Sequence, residues 1–267
     1  MELGLEDKVA LVTGAWRGTG RGIATALAEE GARVWLHGFD AALAEREAAA
    51  LRAEGCDVNA VTGDITSDAG AEEVCASVLR DGARVDVLVN NYGVAEGPGW
   101  LDGTTDDWLL SYQKNVLAGV RLVRGLVPGM RARGFGRVIF VGTVGSLRPG
   151  ARTPHYYAAK ATLANIAVGL AKELAGSGIT VNTVSPGIIA TDEVRETLRR
   201  RAEKRGWSGD KAELERRAVA EFMPNPSARA GRVEEVGALV AFLASRHAGY
   251  INGANLRIDG GAADAAV

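Results

Sequence analysis

Short, continuous apolar runs alternate along this chain with longer stretches whose apolar residues recur every three or four positions. Residues 8–13 (KVALVT), 33–37 (RVWLH), 58–62, 85–89, 137–141 (RVIFV) and 178–184 read as strands covered on both faces, and 255–261 as a last short strand and turn. Helical periodicity fills the intervals: 23–30 closed by Gly31, 41–54 with Leu43 and Leu51 on its buried side, 68–79, 104–130, the small-residue run after His155, and 233–244. Strand and helix in regular alternation predict βαβ units, a parallel sheet, and a ligand crevice beyond the carboxyl ends of the strands. The polar clusters at 13–20, 38–40, 64 and 90–93 all follow strand ends, so they are expected to converge on one crevice.

Three features carry candidate chemistry. Gly14, Gly18 and Gly20, spaced G-x-x-x-G-x-G, lie between the first strand and the first helix. A turn of that kind lets backbone N–H groups and a helix N-terminus approach a pyrophosphate, with glycine wherever a Cβ would collide. Tyr156 and Lys160 are four apart at the start of a helix and therefore neighbours on one face. A phenol titrates near 10, and an adjacent ammonium is expected to pull it toward the working range of a general acid/base. Asn115 sits in the middle of the 104–130 run, where its amide competes with backbone hydrogen bonds and so asks for a reason. Thr104-Thr105-Asp106-Asp107 starts that run as a capping sequence.

Composition narrows the class. With 267 residues, 47% of them hydrophobic, the chain can bury a substantial core as one domain, 1–267. A net charge of −2 and the absence of a basic arm argue against a nucleic-acid partner. Cys56 and Cys75 are too few and too far apart for a disulfide framework or a metal site, which fits a reducing cytoplasm and no metal. The acidic start and the lack of a long apolar run predict neither a signal peptide nor a membrane partner. Between Asp192 and Glu221 the composition turns to charge, including Arg199-Arg200-Arg201 and Lys204-Arg205, with a break near Gly206-Trp207-Ser208-Gly209. That segment reads either as a solvated helical face or as a substrate lid over about 192–223.

These motifs in this order resemble the short-chain dehydrogenase/reductase family, in its compact form without an added domain. The likeness runs from Lys8 to about Gly261 and rests on Thr13-Gly14…Gly18…Gly20, Asp64, Asn90-Asn91-Tyr92-Gly93, Asn115, Tyr156…Lys160 and Pro186-Gly187 with Thr191. It implies a doubly wound Rossmann fold: a seven-stranded parallel sheet flanked by helices, binding NAD(H) or NADP(H), usually as a homotetramer or homodimer. It also implies cofactor contacts from Gly14, Arg17, Gly18, Thr19, Gly20, Phe39, Asp64, Ile65, Asn91, Gly93, Tyr156, Lys160, Pro186, Gly187, Ile189 and Thr191. The catalytic set carried over by position is Tyr156 as proton donor, Lys160 and Asn115 as its relay, and a hydroxyl thirteen residues before the tyrosine. That hydroxyl is Thr143, where the family generally has serine.

Other departures bear on the ligands. Trp16 stands where small residues are usual, and either covers the adenosine or packs on the surface. Tyr92 replaces the usual alanine, and either narrows the nicotinamide end or packs. Gly38 occupies the place of the acid that marks NAD preference, and Phe39 that of the arginine that marks NADP preference. Arg17 could pair with a 2′-phosphate while Asp40 could repel one, so the cofactor stays open between the two. The expected activity is interconversion of a small-molecule secondary alcohol and a ketone. A 3-oxoacyl thioester reductase whose basic run meets an acidic carrier is the nearest alternative, and a catalytically silent dinucleotide sensor or scaffold an alternative of another class.

Overall fold

The computed structural model describes residues 1–264. Its elements alternate as the hydrophobic pattern requires: β1 (Val9–Val12), α1 (Gly18–Glu29), β2 (Arg33–Gly38), α2 (Ala41–Ala53), β3 (Val58–Thr62), α3 (Asp68–Val78), β4 (Val87–Asn90), α4 (Thr105–Tyr112), α5 (Ala118–Arg133), β5 (Gly136–Val141), α6 (Pro154–Glu173), β6 (Ile179–Pro186), α7 (Asp192–Lys204), α8 (Lys211–Phe222), α9 (Val233–Ala244) and β7 (Asn255–Ile258). The strands form one seven-stranded sheet in the order β3-β2-β1-β4-β5-β6-β7. Every pairing is parallel. The chain winds outward from β1 through β2 to β3, then returns to place β4 on the other side of β1. That reversal opens a crevice at the carboxyl ends of β1 and β4, the place where doubly wound sheets bind ligands.

Both faces of the sheet are buried, which is why its strands are apolar without alternating with polar residues. In β1, Ala10 and Val12 join the core under α1, α2 and α9, whereas Leu11 joins the core under α3, α5 and α6. Val87 and Val89 divide from Leu88 in the same way. Removing each such side chain from water contributes about 1.5–3 kcal/mol, so register is tightly set. A third, smaller cluster of Leu198, Ala218, Val219 and Ala230 holds α7 to α8. The inward face of α2 is Ala44, Ala48 and Leu51; Leu43, expected there, is only half-buried, because three- and four-residue steps back from Leu51 reach the alanines.

The 104–130 run is not one uniform helix. A capping box starts α4, with Thr104 Oγ1 accepting from the Asp107 N–H at 3.3 Å and Asp107 Oδ2 accepting from the Thr104 N–H at 2.8 Å. Residues Gln113–Leu117 then form a π turn before α5 begins. Asn115 lies inside it, 4% exposed, and its Nδ2 donates to the Ser111 carbonyl four residues back at 3.0 Å. A side chain that takes a backbone acceptor widens the turn, and such turns recur at functional sites.

Candidate active site

Backbone builds the nucleotide end of the crevice. Gly14 and Gly18 have φ of +61° and +56°, in the left-handed region that favours glycine. A Cβ on Gly20 would lie 2.4 Å from both the Gly14 carbonyl oxygen and Asn91 Nδ2, so the turn closes only with glycine there. Helix α1 starts at Gly18 with no acid in its first turn and no side chain capping it, which leaves its positive end for an anion. Neighbouring strands brace the turn: Asn91 Nδ2 donates to the Thr13 carbonyl at 2.8 Å, and Thr13 Oγ1 accepts from the Tyr92 N–H at 3.0 Å. Beneath it, His37 Nδ1 accepts from the Gly14 N–H at 3.3 Å while Nε2 lies 3.0 Å from the Gly63 carbonyl. The proton therefore sits on Nε2, and burial lowers the ring's pKa and keeps it neutral. This open, glycine-lined cradle at a helix N-terminus fits a dinucleotide.

Side chains build the chemical end. Thr153, with φ +52°, turns the chain into α6, whose first turn carries His155, Tyr156 and Tyr157. At the end of β5, Thr143 Oγ1 accepts from the Gly145 N–H at 3.1 Å, and its hydroxyl is near enough to the Tyr156 phenol to pull that phenol's pKa down. Tyr157 lies against Gly145, where a Cβ would come within 2.2 Å of its ring, so the tyrosine beside Tyr156 props the threonine turn. Lys160 is 4% exposed and its Nζ donates to the Val141 carbonyl at 2.8 Å. A Cβ on Gly93 would lie 2.6 Å from both Lys160 Nζ and Asn115 Oδ1, so these two polar groups converge on one side of the chain just beyond β4. Asn115 pins the chain there: Oδ1 accepts from the Val94 N–H at 2.9 Å and Nδ2 donates to the Val94 carbonyl at 3.2 Å.

The protonation pattern corrects one expectation. Burial, with the adjacent Tyr157, pushes the Tyr156 phenol up to about 12, against the weaker downward pull of the nearby Thr143 hydroxyl. Burial brings the Lys160 ammonium down to about 8. In the free protein the phenol therefore lies above its ordinary value and not below it, because desolvation sets the direction. Tyr156 is held as a neutral hydroxyl, the form that can give a proton to a carbonyl oxygen.

The remaining expected residues are distributed around this crevice. Asp64 is exposed and its Oδ1 accepts from the Thr66 N–H at 2.9 Å, whereas Ile65 is buried beneath it. Pro186 ends β6, Gly187 packs against Asp259, Ile189 bridges to Gly231, and Thr191 caps α7 with its methyl against Gly18. Asp40 is exposed and caps α2, its Oδ1 accepting from the Leu43 N–H at 2.9 Å. Trp16 packs over Gly38, where a Cβ would come within 3.3 Å of the indole. Arg17 stacks on Trp16 at 4.4 Å and pairs with Glu193 at 2.9 Å. Tyr92 turns its ring onto Phe39 at 4.6 Å, so it faces the β2 side of the glycine turn and not α6. Part of the basic run is paired within its own segment: Arg199 and Arg200 with Glu196, and Arg205 with Glu221. Sequence reasoning missed His37 and His155; the only signal was a buried-type position at a strand end and one beside the tyrosine.

Among the described residues no group of three or more His, Cys, Asp or Glu could hold a metal ion, and no helix is long and apolar enough to cross a membrane. The sequence profile of a family described as enoyl-(acyl carrier protein) reductase matches residues 14–263. The chain is 36% identical over 262 residues to the uncharacterized oxidoreductase YvaG of Bacillus subtilis, covering 98% of each. It is 34% identical over 259 residues to the 3-oxoacyl-[acyl-carrier-protein] reductase FabG of Vibrio cholerae, covering 97% of this chain and 98% of that one. Its fold matches that of L-sorbose reductase from Gluconobacter frateurii, solved with NADPH and L-sorbose, with a TM-score of 0.92 at 32% identity, over 99% of this chain and 100% of the other.

Proposed function

The chain belongs to the short-chain dehydrogenase/reductase family, and on that premise we propose which of its residues carry the reaction and on what kind of substrate. It is an NAD(P)-dependent oxidoreductase that interconverts a secondary alcohol and a ketone. The nicotinamide, when bound, supplies or takes the hydride. Tyr156 gives the proton to the substrate oxygen, and Thr143 donates the hydrogen bond that steadies that oxygen as charge develops on it. Lys160 holds the end of β5 and Asn115 the chain after β4, and together they connect the phenol to solvent protons. The observation that carries this reading is the convergence of Lys160, on the helix of Tyr156, with Asn115 at Gly93, beyond the strand end next to the glycine cradle.

For the cofactor, we favour NADP(H). Asp40 is spent on a helix cap, Trp16 covers the position where a diol-binding acid would stand, and Arg17 remains half-exposed on that indole. The L-sorbose reductase with the same fold was solved with NADPH. For the substrate, we favour a small hydroxylated ketone over a carrier-bound 3-oxoacyl thioester. The arginines expected to meet an acidic carrier already pair with Glu196 and Glu221, although FabG relatives keep the thioester as the second reading. The 192–223 segment is the proposed lid, and the cytoplasm, where Cys56 and Cys75 would stay reduced, the proposed compartment. Exposed Leu109, Leu110 and Tyr112 on α4 support assembly into a homodimer or homotetramer.

The test is oxidation of NADPH and NADH by the purified protein over L-sorbose, other hydroxylated ketones and acetoacetyl thioesters. Turnover of hydroxylated ketones with NADPH preferred is the expected result. Salt-sensitive turnover confined to the thioesters would move the assignment to the second reading, and nucleotide binding with no turnover on either group would remove the enzyme reading.

A further inference from the structure

The loop that follows β4 is held at several points, and one of them is the residue next to Tyr156. Its start is fixed by Asn115, whose amide takes both the N–H and the carbonyl of Val94. In its middle, Lys114 forms an ion pair with the Glu96 carboxylate. From the opposite side His155, only 3% exposed, places Nε2 2.6 Å from the Glu96 carbonyl oxygen. The next residue is Gly97, with φ +111°, and a Cβ there would stand 2.4 Å from His155 Nε2. Glycine is thus required twice over, by the backbone conformation and by the approach of the ring. Trp108 packs edge-on against His155 at 5.9 Å, and Trp100 lies tilted against Trp108 at 5.5 Å, so the far end of the loop is tied to the same imidazole through Trp108.

The two ends of this arrangement are the two halves of the proposed chemistry. Gly93, at the loop's start, is where Lys160 and Asn115 converge, and His155 precedes Tyr156 on α6. We propose that His155 is a positioning residue that latches the 94–100 loop to α6, so that this wall of the substrate pocket and the proton donor Tyr156 move as one body. The latch is a single N–H···O=C bond from a buried imidazole to the backbone of an exposed loop, closed by a glycine that admits it. The latch orders the loop, and with it the ketone's orientation against Tyr156, while the nucleotide cradle built on β1 and β2 is untouched.

The inference rests on the oxidoreductase reading for its kinetic consequence but not for its structural one, and the experiment separates them. Hydrogen exchange of amides 94–100, ketone KM, and NADPH affinity by fluorescence are compared in wild type, His155→Leu, Gly97→Ala, His155→Gln and the Leu/Ala double variant. Gln places an amide N–H near the position of Nε2, so it is the conservative replacement. Leu and Ala variants should each speed loop exchange and raise ketone KM by about tenfold, the value of roughly one hydrogen bond. NADPH affinity should stay within about twofold by the same scale, and the double variant should be no worse than the single ones. Gln should recover most of both losses. Unchanged exchange in both single variants, faster exchange with a wild-type KM, or NADPH affinity falling as far as KM would each overturn the latch. Absence of ketone turnover in the wild type would overturn the enzyme reading alone, because exchange still decides the latch.

Discussion

The two ends of the crevice are made of different materials. At the nucleotide end, side chains point away from the ligand and brace the backbone: His37 holds Gly14, Asn91 holds Thr13 and Gly14, and Asp40 caps α2. At the chemical end the backbone retreats and side chains converge, with Thr143 against Tyr156 and Lys160 beneath Gly93. The contrast follows from what each end must recognise. A pyrophosphate is met by a row of N–H groups and a helix terminus, which any sequence can present once glycine clears the space. A reacting carbonyl needs a proton at one atom, which only particular side chains can hold.

The contrast is open to attack from both ends, and the largest effect is expected from space at the nucleotide end. Gly20→Ala puts a methyl against the Gly14 carbonyl and should abolish nucleotide binding while costing about 1–3 kcal/mol of stability. A titration of nucleotide fluorescence beside a denaturation curve reads both. At the other end, identity should matter and volume should not. Thr143→Val keeps the shape and loses the hydroxyl, so kcat should fall by about 10²–10³ with nucleotide affinity intact, whereas Thr143→Ser should retain turnover. If the valine variant keeps full activity, Thr143 has no part in the reaction.

Lys160 should make the chemical end costly to fold. Its ammonium titrates at about 8 in the folded protein against 10.5 in the unfolded chain. Between those values the unfolded state carries the extra proton, so stability rises with pH across that window, by up to about 1.4 kcal/mol per pH unit. Below pH 8 both states are protonated and the cost of burying the charge is constant. Denaturation of Lys160→Met should show that rise flattened; a variant with the wild-type slope would place the titration elsewhere. The smallest effect is expected at the rim. Arg17→Gln should weaken NADPH by about tenfold and leave NADH unchanged, and Glu193→Gln, which frees the arginine, should move NADPH the other way. Equal losses for both nucleotides in the arginine variant would remove it from the 2′-phosphate.

The parts of this molecule that sequence made legible are those with short-range causes. Strands 8–13 and 137–141 are continuous apolar runs because each is covered on both faces, and the glycine turn and the Tyr156–Lys160 spacing are local periodicities. What stayed hidden depends on residues far apart in the chain. His37 meets Gly63 and Gly14 only because β2 lies between β3 and β1. Arg17 and Glu193 are brought together by the fold, and His155 reaches Glu96 across the crevice. Asn115 was conspicuous in a helix interior, yet the π turn that explains it needs Ser111 and Val94 in place. The upward shift of the Tyr156 phenol, against the downward one that the Lys160 spacing suggests, was hidden for the same reason, since burial is a property of the whole fold.

The central claim is that Tyr156 gives the proton, and Tyr156→Phe tests it with the least disturbance, removing one oxygen from a ring that keeps its packing. With NADPH bound and a ketone that the wild type turns over, the phenylalanine variant should lose about 10²–10⁴ in kcat while binding NADPH as tightly as the wild type. Reduction at the wild-type rate would contradict the account.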